Sequence, residues 1–236
     1  TQLILYGCTV FWWVMSALLE QLNRRQWLWH GNSQQAAYQA VSSGYAELDK
    51  QLAGGFPASG VIDLQSDIGI GELRLLLPYL KQQHSDGRLL VLICPPAQPC
   101  ADMLAAHGIN LAQLLLLRPS QTKDALWAAE QCLQSGVVSS VLLWQHRLTL
   151  SQARRLQLAA SQGQATLVLL RRAMAGLSLP VSLSMQITPA ERGLQVQVHK
   201  RRGGWPGAPF MLDMSAQWPA LCLSADSASL LQRKAS

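Results

Sequence analysis

The residues best suited to chemistry lie between Ser66 and Leu73, in the stretch S-D-I-G-I-G-E-L. A loop that holds nucleotide phosphates has the pattern G-x-x-x-x-G-K-[ST]. Its backbone N–H groups wrap the phosphates, its Lys neutralises them and its hydroxyl holds magnesium. In that frame Ser66 stands at the first position, Gly69 and Gly71 keep the turn, and Glu72 and Leu73 replace the Lys and the hydroxyl. Two unit charges about 4 Å apart are worth roughly 4 kcal/mol at an effective dielectric near ~20, so the carboxylate turns an attraction into a penalty of similar size. Leu73 offers no metal ligand. The expectation is a nucleotide-type turn that no longer uses nucleotide, with no cofactor and no enzymatic activity. Glu72 itself has two readings. It is either a first-turn carboxylate, stabilised by the helix dipole by roughly 0.3–1 kcal/mol, or a side chain that occupies the vacated phosphate position and accepts its free N–H groups.

This loop needs a strand before it and a helix after it, and the sequence supplies both. The apolar run 61–64 leads in, and a leucine-rich helix leads out to about Gln83, with Pro78 predicting a kink or an early stop. Upstream, Gly44, the helical turn A-E-L-D-K-Q-L, Gly54, Gly55 and Pro57 form dense turn chemistry. Downstream, strands are expected at 89–94, 114–117, 137–144 and 165–170, with helices at 101–107, 122–134 and 151–160 between them. Short uninterrupted apolar strands separated by helices predict an α/β fold with a mostly parallel central sheet and helices on both faces. Segments 181–187 and 194–199 alternate instead, and predict an antiparallel pair at the sheet edge.

At 236 residues, 49% hydrophobic and 14% charged, the chain is globular, and its low charge content suggests a surface partly covered by a partner. The net charge of +6 is modest and reads as spread along the chain. Five cysteines without a C-x-x-C pair read as reduced thiols of a cytoplasmic protein, and the five His residues show no metal-ligand spacing. Residues 3–19 carry no charge and reach the lower length limit for a membrane span. No basic region precedes them and no A-x-A site follows, so residues 1–14 are read as an upstream or non-native leader, with no stable membrane association expected. From Ser16, Leu18, Leu19, Leu22 and Trp29 recur at helical spacing, with Trp27 beside them. That helix and a polar linker, residues 15–40, either pack on the chain's own core or dock a partner.

Two basic clusters are candidate contacts for DNA or a partner. Arg171 and Arg172 end a core strand, and Lys200, Arg201 and Arg202 lead into G-G-W-P-G with Trp205. A basic triplet beside an aromatic can clamp phosphates and stack a base, or it can be a solvated hairpin tip.

The segments V-S-S-G-Y-A-E-L-D-K-Q-L-A-G-G-F-P-A-S-G-V-I-D-L, A-D-M-L-A-A-H-G-I-N-L-A-Q-L-L-L-L-R-P and D-A-L-W-A-A-E-Q-C-L-Q-S-G-V-V-S-S-V-L-L-W resemble the core of the RecA recombinases, over residues 41–214. Within that superfamily, G-I-G-E-L-R-L-L-L-P with I-C-P-P-A and L-L-L-L-R-P resembles the ImuA group. The resemblance implies a RecA-like core over 41–214, and the Ser- and Ala-rich tail after it, 215–236, reads as flexible. It also implies an accessory role in SOS-induced translesion synthesis, with an ImuB-like Y-family protein, a DnaE-type polymerase and RecA as candidate partners, and DNA contact weak or indirect.

Departures from an active recombinase point away from catalysis. Pro96 stands where the water-activating glutamate belongs, Trp144 stands at the acid that ends the Walker B strand, and the DNA loop is cut to R-R-A-M-A-G-L-S. A second reading, of a different class, is a SulA-type cell division inhibitor that binds FtsZ. The N-terminal helix, the closing strand pair and the longer tail favour the ImuA group over it. A third is a DNA-stimulated ATPase with an unusual loop.

Overall fold

The computed structural model describes residues 39–84, 87–173 and 179–219. The proposed partner helix, with Leu18, Leu19, Leu22, Trp27 and Trp29, lies outside the described residues, as do the 1–14 leader and residues 220–236. Among the described residues no helix is long and apolar enough to cross a membrane.

Strand β1 (Ala40–Val41) pairs antiparallel with β2 (Phe56–Pro57), and helix α1 (Ala46–Gln51) lies between them in sequence. The remaining strands are β3 (Gly60–Gln65), β4 (Leu89–Ile93), β5 (Leu114–Leu117), β6 (Val138–Trp144), β7 (Thr166–Arg171), β8 (Leu183–Ala190), β9 (Gly193–Arg201) and β10 (Phe210–Asp213). They form one eight-stranded sheet in the order β10-β9-β8-β3-β7-β6-β4-β5. Neighbours from β8 to β5 are parallel, whereas β9 runs antiparallel to both β8 and β10.

Because side chains alternate along a strand, β3, β4, β6 and β7 each feed two cores. On one face, helices α1, α2 (Glu72–Gln83) and α3 (Ala101–Ala106) cover Ile62, Leu64, Leu90, Leu92, Val168 and Met185. On the other, α4 (Thr122–Gln134) and α5 (Leu150–Gln162) cover Val61, Val91, Ile93, Val141, Leu167 and Leu169. A capping box between Thr149 and Gln152 starts α5.

Three sequence expectations are corrected. Helix α2 passes through Pro78 without stopping. The carbonyl of Arg74, which loses its helical N–H partner at Pro78, accepts from the Tyr45 hydroxyl at 3.4 Å. The β8–β9 pair is not the edge: β8 sits against β3, and β10 closes that side. The chain after Asp213 is packed as far as Trp218. Met214 is buried, Gln217 donates to the Gly44 carbonyl, and Trp218 Nε1 donates to the Tyr45 hydroxyl. The Trp218 ring packs against His107, centroids 4.1 Å apart and planes tilted by 38°, and lies under the Arg74 guanidinium. Burial pushes the Tyr45 hydroxyl pKa up, partly offset by the Trp218 bond.

Candidate functional site

Strand β3 ends at Gln65, and the Ser66 amide donates to the Arg171 carbonyl before the chain turns. The turn closes at Gly71, whose left-handed φ of 111° makes it the N-cap of α2 without a side-chain cap bond. The unpaired amides of the turn find a partner one residue on. Glu72 is buried, and its carboxylate folds back to accept the Gly69 N–H at 3.0 and 3.1 Å and the Gly71 N–H at 3.2 Å. These converging amides, aided by the positive end of α2, form the kind of nest that binds anions, and here the anion is the chain's own carboxylate.

Ser66, Ile68, Glu72, Trp144, His146, Leu170, Arg171 and Arg172 line a cleft beside the turn. Its cavity volume is about 10 Å³, at the lower bound for one water. Trp144 is half-buried at the end of β6 and lines this cleft, and both it and Leu73 pack against the same core. Pro96 is exposed in the loop after β4 and is not among the lining residues.

Arg171 is not available to DNA or to a partner. Its side chain is 1% exposed and forms a two-pronged ion pair with Asp63, Nε to Oδ1 at 2.6 Å and Nη2 to Oδ2 at 2.8 Å. Gln65 and Ser184 also donate to Asp63 Oδ2, both at 2.9 Å, so the carboxylate is well satisfied, while Arg171 Nη1 is buried without a hydrogen-bond partner. The physical reason is register: Gln65 faces Arg171 and Asp63 faces both Leu169 and Ser184, which puts all the polar side chains on one face of three adjacent strands. A lone acid in V-I-D-L and the first of two bases after L-V-L-L were the available signal, and sequence reasoning missed it. Arg172 next door is exposed and sits 3.9 Å from exposed Asp67.

The second basic cluster is not part of the same surface. Arg201 pairs with Leu183, and Leu183 with Ile62, so Lys200–Trp205 lies towards the end of the sheet where the parallel strands begin. Arg172 lies where they end, roughly 20 Å away by strand rise and spacing. Lys200 Nζ donates to the Leu179 carbonyl, Arg202 is exposed, and Trp205 is 84% exposed.

A family profile described as Cell division inhibitor SulA matches residues 62–167, from β3 into β7. The Edwardsiella piscicida protein named Cell division inhibitor SulA is 34% identical over 119 residues, 48% of this chain and 69% of that protein. The Pseudomonas aeruginosa protein of the same name is 34% identical over 95 residues, and this chain spans only 59% of it. Protein RecA of Streptococcus mutans is 28% identical over 114 residues, 48% of this chain and 30% of that protein. The crystal structure of SulA from Pseudomonas aeruginosa shares 31% identity, covers 48% of this chain and 98% of its own, and superposes with a TM-score of 0.41. The sheet and its covering helices make the chain a mixed α/β protein, and the SulA and RecA sequence matches put it in the RecA/SulA superfamily. Within it, the chain belongs to the SulA family. Strands β8, β9 and β10 and the Trp218 segment lie beyond the matched residues.

Proposed function

We propose that this chain is a non-catalytic, cytoplasmic partner-binding protein of the SOS response. Its role is that of an adaptor in error-prone translesion synthesis, holding an ImuB-like Y-family protein and a DnaE-type polymerase, with RecA as a further partner. The observation that carries the non-catalytic part is the Glu72 carboxylate seated on the Gly69 and Gly71 amides, where a nucleotide phosphate would have to go. The adaptor reading is supported by the resemblance to the ImuA group and by the β8–β10 extension beyond the SulA match.

A second reading, cell division inhibition through FtsZ, is favoured by the SulA family membership itself. Affinity capture of the full tagged chain from DNA-damaged cells, with mass spectrometry of what co-purifies, separates the two. Recovery of a Y-family protein with a DnaE-type polymerase or RecA is the expected result. Recovery of FtsZ alone would assign the chain to division inhibition.

A further inference from the structure

The net charge of +6 is not spread along the chain. Residues 131–236 hold eleven Lys and Arg against three Asp and Glu, while residues 1–130 hold eight against ten. Within the basic part, no carboxylate lies between Arg192 and Asp213, nor between Glu130 and Glu191. Strands β8 and β9 and the loop from β9 to β10 are therefore free of acids, and their cations gather at one end, in Lys200, Arg201 and Arg202. The nearest acids on this hairpin, Glu191 and Asp213, are at the far end of β9, about 30 Å off for a nine-residue strand. Arg192 pairs with Asp213 there at 3.0 Å.

Helices α4 and α5 pack on β3, β4, β6 and β7, and on that same face β8–β10 present polar side chains. Gln186, Thr188, Gln195, Gln197 and His199 line it, with Gln195 and His199 exposed, and Met211 adds an apolar patch at 58% exposure. At the basic end, the chain turns tightly at Arg201–Gly204, where the Gly204 amide donates to the Arg201 carbonyl. The Arg201 guanidinium lies so close over Gly204 that a Cβ there would meet Nη2 at 2.2 Å. Trp205 follows, and Pro206 behind it restricts its backbone to extended conformations, so the ring is held out at little cost in entropy.

We propose that this hairpin and the polar face of β8–β9 form a binding site for single-stranded nucleic acid, with Lys200, Arg201 and Arg202 holding the backbone phosphates and Trp205 stacking a base. An acid-free basic strip tracks a phosphate backbone, an exposed ring beside it accepts any base, and amide side chains supply donors and acceptors. The aromatic ring and the amides favour a nucleic acid over an acidic peptide, which needs neither. The site lies at the opposite end of the sheet from the Glu72 loop, and it does not rest on the adaptor reading.

Fluorescence anisotropy of a labelled oligo(dT) with the purified full chain tests this without any protein partner. Saturable binding is expected at low salt, with a log–log salt slope of about −2 from three phosphate contacts. Trp205→Ala should weaken it about tenfold, and Arg202→Glu should weaken it and flatten the slope by about one. Lys123→Ala, in the first turn of α4, should leave it unchanged. No binding by the native chain would overturn the proposal, as would binding indifferent to Trp205 and Arg202. Capture of labelled polyglutamate in place of oligo(dT) would reassign the strip to an acidic protein.

Discussion

Asp63→Ala is expected to destabilise the chain by about 3–5 kcal/mol, because it strands the Arg171 guanidinium in the core without its counter-ion. For a domain of this size that corresponds to a fall in melting temperature of roughly 6–20 °C. Both side chains are 1% exposed, so solvent cannot replace the lost partner. Gln65 and Ser184 also lose the acceptor they share. The double change Asp63→Leu with Arg171→Met should cost less than either single change, since it removes both charges together. Urea denaturation followed by circular dichroism measures all three. A double variant as damaged as the sum of the singles would show that the pair is not energetically coupled.

Glu72→Ala should cost about 1.5–3 kcal/mol, the net worth of hydrogen bonds to a charged acceptor, or roughly 3–12 °C in melting temperature, since Glu72 is buried although the Gly69 amide it holds is on an exposed residue. That exceeds the roughly 0.3–1 kcal/mol expected of an exposed first-turn carboxylate. The two readings of Glu72 thus differ in size of effect as well as in geometry, and its two-oxygen contact with Gly69 is the geometry of an anion in a nest. Added phosphate should restore part of the lost stability in the Ala variant and none in the native chain, because only the variant leaves the amides open to an external anion. An unchanged melting curve for Glu72→Ala would reduce the contact to a surface cap.

The parallel part of the sheet was legible because its strands are short apolar runs bounded by turn residues. Strand β5 and helix α4 occupy the expected 114–117 and 122–134. What was not legible depends on partners distant in sequence. Phe210–Asp213 is a four-residue run after a Pro- and Gly-rich loop, and it becomes a strand only because Leu194 and Val196 of β9 lie beside it. Nothing local to Pro78 reveals that Tyr45 will take up the carbonyl freed at Arg74. The tail looked mobile from its Ser- and Ala-rich composition, yet one tryptophan, Trp218, found Tyr45, His107 and Arg74 waiting on three separate segments. At the site, the missing Lys and hydroxyl were readable from residue types alone. The role of Arg171 was not, because its partner is 108 residues away. The charge division at residue 130 was present in the sequence and was overlooked by treating the net charge as a single figure.

The most direct test of a self-filled phosphate loop is isothermal titration of Mg-ATP into the native full chain. No binding heat is expected even at millimolar nucleotide, because the Gly69 and Gly71 amides are already taken and the cleft beside them, lined by Trp144, has room for about one water. Micromolar binding that is lost in Gly71→Ala would contradict this, and would return the chain to the class of working nucleotide enzymes.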